Sequence, residues 1–484
     1  MTRLSIIPLL QASLLLHGAA AEAGSGGQSK INWSECAEFN TTEPIQCANL
    51  TVPLDYTQPN SSKTIELQLL RIPAARQPSK GSILFNFGGP SIAGRPSLVQ
   101  SAGSIRNSTS QYHDLVTFDP RGTGNTIPIS CFENEAERNA VILNNPKAWS
   151  SLAAPYFWAK STDSTPSRLW AATKLYVDKC YEKNKELGGV YGTAFVARDM
   201  MQIVDALGED GLLRYWGGSY GTLLGQTAAA MFPERIDRMV LDGNLNGHEY
   251  YHAQDDEQWA DSDKAFSAIF KSCVAKPSEC LLAQRNMTAA ELEEAAYALI
   301  DDLNPRPLVD AGLNALMSAD YAVFYRIWTA LGASYASLGA TVDAQLTIKC
   351  GDKIARVETI DEFLPIMNRQ YGVSRIFGDV QTTVEMACAQ WKLNAKEQYS
   401  GDFAVKTRHP ILFIGNTADA FTPLVSARNM SEAFEGSAVL HVNGYGHASV
   451  GTSKCAAEAT SQYYINGTLP AGDAFCELDV PIVL

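Results

Sequence analysis

The sequence lacks the features that define several large classes of protein. Beyond the first residues it has no uninterrupted stretch of about 20 apolar residues, so it offers no helix able to span a bilayer. It has no internal repeat and no low-complexity tract, which removes repeat and fibrous architectures. Basic charge is in short supply: 38 Lys and Arg stand against 52 Asp and Glu, a net charge of −14. With no basic patch, a phosphate backbone is repelled, and nucleic acid is not an expected partner. None of the ten cysteines forms a C-x-x-C pair, so neither a zinc ribbon nor a thioredoxin-like redox site is offered. At 484 residues and 46% hydrophobic composition the chain can nevertheless bury a large core. That length suits about three domains, or one large α/β domain carrying an insertion.

What is present begins with Met1-Thr2-Arg3, an apolar run from Leu4 to Leu16, and small residues at Ala19, Ala20, Ala21 and Ala23. This pattern reads as a secretory signal peptide over residues 1–23, so a soluble, secreted, extracellular protein is expected. All the cysteines lie beyond it, at positions 36, 47, 131, 180, 273, 280, 350, 388, 455 and 476, and an even count in an exported chain suggests disulfides. Glycosylation sequons begin at Asn32, Asn40, Asn49, Asn60, Asn107, Asn286, Asn429 and Asn466. About three would arise by chance, so the excess points to glycosylation on a eukaryotic secretory route.

Apolar or alternating runs bounded by turn residues predict strands at Thr64 to Arg71, Ile83 to Phe87, Leu115 to Phe118, Leu212 to Trp216, Ile236 to Leu241, Ile411 to Ile414 and Ala438 to Val442. Val196, Met200, Ile203, Val204 and Leu207 follow the spacing of one buried helix face. Such alternation of strands and helices implies a mostly parallel sheet covered on both faces. From about 246 to 400 the pattern becomes helical and rich in Ala, Leu and acidic residues, then the alternation resumes. The expected organisation is a first core segment at 24–245, a helical cap insertion at 246–400 and a second core segment at 401–484.

Gly217-Gly218-Ser219-Tyr220-Gly221 matches G-x-S-x-G, whose small residues permit the sharp strand-to-helix turn that lifts a serine oxygen above a sheet. Alone the motif is weak, arising by chance in about one such chain in five. Its setting, between an apolar strand and the helix-forming run Thr222 to Phe232, makes Ser219 the candidate nucleophile. A serine hydroxyl needs a base, and the base needs a carboxylate to hold its tautomer. Asp419 stands in a loop after the strand at Ile411, and His447 on a glycine-rich loop after Ala438 to Val442; they are the candidate acid and base. Thr422-Pro423 reads as a helix cap and first-turn proline. Asp242, ending the strand after the nucleophile helix, is the rival acid. His113, His409 and His441, within or beside strands, read as structural. The amide of Tyr220 and that of Gly89, or secondarily Gly88, in Gly88-Gly89-Pro90 are the candidate oxyanion donors.

A competing pattern is His248-Glu249-Tyr250-Tyr251-His252, an H-E-x-x-H in which two histidines one turn apart bind zinc and the glutamate activates water. A loop rather than an established helix precedes it. Gln258 stands where a longer zinc pattern places a third histidine, and no downstream acid stands out. Zinc peptidase chemistry is therefore a remote alternative, and no metal or cofactor is expected.

With these residues located, the sequence resembles the secreted tripeptidyl-aminopeptidase-like branch of the α/β-hydrolases, relatives of the prolyl aminopeptidases. The likeness spans nearly the whole mature chain. It runs through Cys47-Ala48-Asn49-Leu50-Thr51-Val52-Pro53-Leu54-Asp55-Tyr56, Asn86 to Pro90, Phe118-Asp119-Pro120-Arg121-Gly122-Thr123-Gly124, Gly217 to Thr222, Val240-Leu241-Asp242-Gly243, Gly415 to Pro423, and Gly446-His447 with Gly467-Thr468-Leu469-Pro470 and Cys476. The resemblance implies an α/β-hydrolase fold with a helical cap and a TAP-like C-terminal segment, and a triad of Ser219, Asp419 and His447. It also implies the disulfides Cys36 with Cys47, Cys131 with Cys180, Cys273 with Cys280, Cys350 with Cys388, and Cys455 with Cys476. One departure stands out: the family loop N-P-G-G-P-G here has Phe87 for its proline and Ser91 for its last glycine.

The expectation is a secreted serine exopeptidase acting on peptide N-termini through an acyl-enzyme. A carboxylesterase, lactonase or amidase acting on a small metabolite uses the same machinery, and a non-catalytic binding protein is disfavoured because all three triad positions are filled. The sequence leaves the oligomeric state open. The acidic cluster Asp255, Asp256, Glu257, Asp261 and Asp263, early in the cap, is the first place to seek a pocket for a substrate ammonium, against the plainer reading of a solvated helix face.

Overall fold

Central strands whose neighbours cover both faces should read as unbroken apolar runs, and edge strands as alternating ones. The computed structural model follows this rule. It describes residues 31–134, 136–138, 165–252, 255–303, 339–378, 380–472 and 474–479, so the expected signal peptide lies outside the described residues. A single sheet is formed by β1 (Ser34–Glu35), β2 (Gln46–Pro53), β3 (Thr64–Ile72), β4 (Ser82–Asn86), β5 (Asp114–Phe118), β6 (Leu213–Gly218), β7 (Ile236–Asp242), β8 (Leu412–Ala418), β9 (Ala438–Tyr445) and β10 (Ala474–Cys476). Their spatial order is β1-β2-β3-β5-β4-β6-β7-β8-β9-β10. The pairs β1–β2, β2–β3 and β3–β5 are antiparallel, and every pair from β5 to β10 is parallel.

All five residues of β4 are buried, with Ile83 and Phe85 entering one core and Leu84 the other. In β2, Ala48, Leu50 and Val52 are buried while Asn49, Thr51 and Pro53 are exposed. Sequence reading overlooked β1, β2 and β10 as strands. The buried side of β2 carries only three modest apolar residues, and β1 and β10 are two and three residues long, too short for a periodic signal.

The helices are α1 (Gly94–Ser108), α2 (Thr165–Asn184), α3 (Thr193–Leu207), α4 (Tyr220–Met231), α5 (Gly247–His252), α6 (Ser262–Ala275), α7 (Ala289–Leu303), α8 (Gly339–Asp352), α9 (Ile360–Val373), α10 (Val380–Ala389), α11 (Leu424–Ala433) and α12 (Lys454–Asn466). On one face of the sheet α3 contributes Val196, Met200, Ile203 and Val204, joined by Leu223 of α4 and Met430 of α11. On the other, Leu98, Ala102 and Ile105 of α1 meet Tyr463 and Tyr464 of α12. Although β7 and β8 are neighbours in the sheet, helices α5 to α10 stand between them in sequence. Among the described residues from 246 to 400 there is no strand. Part of this helical insertion has its own core, built on Trp259, Phe266, Phe270, Leu292, Tyr297 and Phe377.

Disulfides join Cys36 to Cys47, Cys131 to Cys180, Cys273 to Cys280, Cys350 to Cys388, and Cys455 to Cys476. The F-D-P-R-G segment is explained by Arg121, fully buried, which donates to Asp199 of α3 (2.7 and 2.9 Å) and to the carbonyls of Pro53 (2.7 Å) and Leu54 (2.5 Å). Because β4 and β6 to β9 run parallel, the loops that follow them gather along one edge of the sheet, where ligand sites of parallel sheets form.

Candidate active site

At that edge β6 turns abruptly into α4. Ser219 occupies the turn at φ 56° and ψ −126°, a region an L-residue enters only when its surroundings impose it. Its amide donates to Asp242 O (3.1 Å), and its carbonyl accepts Thr222 N (2.8 Å) and Thr222 Oγ1 (2.6 Å). The turn tolerates no bulk, since a Cβ on Gly221 would stand 2.5 Å from Asn86 O. The loop after β4 lies directly on it: Gly88 has φ +89°, and a Cβ there would meet Gly218 O at 2.6 Å and Ser219 Cβ at 2.9 Å. Phe87, in place of the family's proline, stacks its ring on Phe85 at 6.3 Å. The Gly88 amide is taken by Asn86 Oδ1 (3.0 Å). Tyr220, first in α4, has no intrahelical acceptor for its N–H.

Asp419 follows β8 and is fully buried, and His447 follows β9 with 37% of its side chain exposed. His447 Nδ1 lies 3.0 Å from both carboxylate oxygens of Asp419. That carboxylate also accepts Phe421 N (2.9 Å), Thr422 N (3.0 Å), Thr422 Oγ1 (2.6 Å) and Ala448 N (2.9 Å). Burial alone would raise the Asp419 pKa, but the His447 bond and charge with these donors outweigh it and hold the carboxyl below its usual value. For His447 burial works downward, and the Asp419 bond and charge, helped by Asp242, raise the imidazole above its ordinary value.

Asp242, the rival acid, accepts Ser449 N (3.0 and 3.1 Å) and Ser449 Oγ (3.0 Å). It therefore anchors the loop that carries His447. Burial, with Asp419 close by, pushes its carboxyl up to about 6 against the pull of the Ser449 donors. Thr422 departs from the helix-cap expectation. Helix α11 starts at Leu424 with Pro423 in the capping position, and the Thr422 hydroxyl is 2.6 Å from Asp419 and 3.1 Å from His447 Nδ1. A threonine before proline looks like a cap in sequence, and only the folded loop shows which acceptor it finds.

The H-E-x-x-H residues do not form a metal-binding constellation. His252 Nδ1 faces the carbonyl of His248 (2.7 Å), His248 sits edge-on to Phe403, and Glu249 accepts Glu257 N (2.8 Å). Among the described residues the one convergence of three ligand-type side chains is Cys36, Glu38 and Cys47, whose sulfurs are joined to each other. The acidic cluster is neither a free pocket nor a solvated face. Asp255 pairs with Lys349 (3.2 Å) and Lys353 (2.9 Å), and Asp256 with Arg369. Glu257 accepts Asn246 (3.2 Å) and Asn429 (2.5 Å), Asp263 accepts Ser374 Oγ with the amides of Arg375 and Ile376, and Asp261 faces Lys264 at 4.0 Å. These contacts fasten the insertion to itself and to α11. His113, His409 and His441 bond Thr109 O, Ile236 O and Thr417 Oγ1 respectively.

A mostly parallel sheet ending in an antiparallel edge, with a strained serine between β6 and α4 and an acid and a histidine after β8 and β9, is the arrangement of the α/β-hydrolase fold. Residues 374–476 match the family described as TAP-like protein. Over 95% of its length the chain is 28% identical to a tripeptidyl aminopeptidase of Streptomyces coelicolor, covering 88% of that protein. It is 27% identical to serine protease Hip1 of Mycobacterium bovis, over 92% of this chain and 91% of that one. A carboxylesterase B of Mycobacterium tuberculosis matches 63% of the chain at 27% identity, covering 58% of its own length. The chain thus has the α/β-hydrolase fold, with a C-terminal segment that matches the TAP-like family.

Proposed function

We propose that the protein is an exported serine exopeptidase that releases short units from peptide N-termini. The observation that carries this reading is a strained, half-buried Ser219 at the same sheet edge as a His447 held by a buried Asp419, with Asp242 accepting both the Ser219 amide and that of Ser449 beside His447. Ser219 Oγ attacks the scissile carbonyl carbon while His447 takes its proton, and Asp419 stabilises the imidazolium that forms. The amides of Tyr220 and Gly89 receive the developing oxyanion; the bond from the Gly88 N–H to Asn86 Oδ1 supports Gly89 over Gly88 in this role. Collapse of the intermediate breaks the C–N bond, and His447 gives its proton to the leaving amine. Water then attacks the acyl-enzyme by the same route, releasing the carboxylic acid and restoring Ser219.

The peptidase class is supported by relatives named as a tripeptidyl aminopeptidase and a serine protease across nearly the whole chain. Export is supported by the five disulfides, and glycosylation by the exposure of all eight sequon asparagines. A small-molecule esterase is the second reading, favoured by the partial match to a carboxylesterase. Parallel assays with aminoacyl, tripeptidyl and simple ester chromogenic substrates decide between them: rapid ester turnover without any peptide cleavage would sink the exopeptidase. Ser219→Ala should lower turnover by several orders of magnitude, leave the melting temperature nearly unchanged and abolish fluorophosphonate labelling.

A further inference from the structure

Helix α8 of the insertion touches the Gly89 loop directly and Tyr220 through Thr193. At its C-terminal end Asp352, fully buried, accepts Thr193 N at Oδ1 (2.8 Å) and Thr193 Oγ1 at Oδ2 (2.5 Å), with Tyr250 OH also at Oδ2 (3.1 Å). The single hydroxyl proton of Thr193 is thus committed to Asp352. Its oxygen is then the acceptor for the Tyr220 phenol, with which it is in hydrogen-bond contact. Tyr220 is buried with its ring 6.3 Å from that of Tyr250, so its phenol is kept from solvent. Seven residues before Asp352, about two helical turns and on the same face, Gln345 brings Nε2 to 3.4 Å from Gly89 O.

We propose that α8 sets the oxyanion pocket. Asp352, acting through Thr193, positions Tyr220 and with it the backbone N–H beside Ser219, and Gln345 bears on the Gly89 loop. The inference rests on the reading of Ser219 as nucleophile. Its physical basis is that a positive-φ turn persists only where neighbours over-determine it. A buried, fully satisfied chain of hydrogen bonds is rigid enough to supply that constraint. The Asp352–Thr193 link is the strong half, with two short bonds to one carboxylate, and the longer Gln345 contact is the weaker one. The consequence is that the insertion does more than cover the sheet edge: its seating and the competence of the acyl-transfer site are coupled.

The test compares Thr193→Val, Thr193→Ser, Tyr220→Phe and Gln345→Ala by kcat, KM, fluorophosphonate labelling rate and melting temperature. Thr193→Val and Tyr220→Phe should lower kcat about 10- to 100-fold with KM within about twofold, because a displaced donor weakens the transition state more than the bound substrate. Thr193→Ser, which keeps the hydroxyl, should recover most of the loss, labelling should slow in step with kcat, and Gln345→Ala should show a smaller drop. Unchanged kcat in both Thr193→Val and Tyr220→Phe would overturn the proposal, as would a loss shared by Thr193→Ser that tracks melting temperature. If Thr193→Val does not fold, Tyr220→Phe, which removes one oxygen, decides alone. Should Ser219→Ala remain active, the reading of the site itself fails; an inactive Ser219→Ala beside fully active Thr193→Val and Tyr220→Phe rejects only the positioning role.

Discussion

Two buried carboxylates, Asp419 and Asp242, stand side by side with opposite shifts, because their hydrogen-bond donors differ. Asp419 gathers His447, Thr422 and three backbone amides, whereas the Asp242 carboxylate is buried with Ser449 donating to it and with Asp419 and His447 as opposing charges nearby. Asp419→Asn should lower kcat by about 10³- to 10⁴-fold, since an amide favours the wrong imidazole tautomer. Asp242→Asn should act mainly on stability. The Asp242 carboxyl is raised to about 6 from 3.8, so the cost of ionising it in the fold grows as pH rises through that window. Melting temperatures of wild type and Asp242→Asn should therefore diverge in the variant's favour between about pH 4 and 7. A flat difference would show that Asp242 ionises freely. With its imidazole raised above 6.5 by Asp419, His447 should give a kcat/KM profile whose acidic limb has its midpoint above 6.5. Where Asp419→Asn leaves measurable turnover, that limb should move down. The stability from the pair is complete above 3.8 and below 6.5: it is lost on the acid side as Asp419 protonates at its lowered pKa, and on the basic side as His447 deprotonates at its raised one.

Among elements, the β6–α4 turn and the loop after β4 act as one unit, because the loop's backbone sits within contact of the serine. Gly88→Ala should abolish activity and lower the melting temperature. The new methyl would need both a left-handed φ and space occupied by Gly218 O and Ser219 Cβ. Activity near wild type in Gly88→Ala would mean that the loop moves freely, contrary to this packing. The strands of this unit were legible in sequence because they are buried on both faces, and Leu213–Gly218 and Ser82–Asn86 lie within a residue or two of the apolar runs that foretell them. The outer strands β1, β2 and β10 were not: β2 has few apolar residues on its buried side, and β1 and β10 are too short for a periodic signal.

Across the whole molecule, the ion pair Arg121–Asp199 joins the segment after β5 to α3 and to the exit of β2 with no solvent exposure at either end. Arg121→Met should destabilise the fold by about 3 to 5 kcal/mol, because it strands a buried carboxylate, while Arg121→Met with Asp199→Leu should recover much of that. Denaturant titration of the single and double variants measures the difference. If the single variant is as stable as wild type, Asp199 must reach water or take up a proton.

The sequence by itself determined which segments become central strands, that a helical stretch interrupts the alternation, and that Ser219, Asp419 and His447 each stand just past a strand. Those features are local, since period and turn chemistry are written within about ten residues. Only the tertiary structure decided between Asp419 and Asp242 as the partner of His447, and it turned Thr422 from a helix cap into a donor to Asp419. It likewise spent the acidic cluster on Lys349, Lys353, Arg369 and Asn429. The physical reason is that a hydrogen bond depends on angstroms between atoms brought together by sheet order, whereas hydropathy records only whether a side chain leaves water.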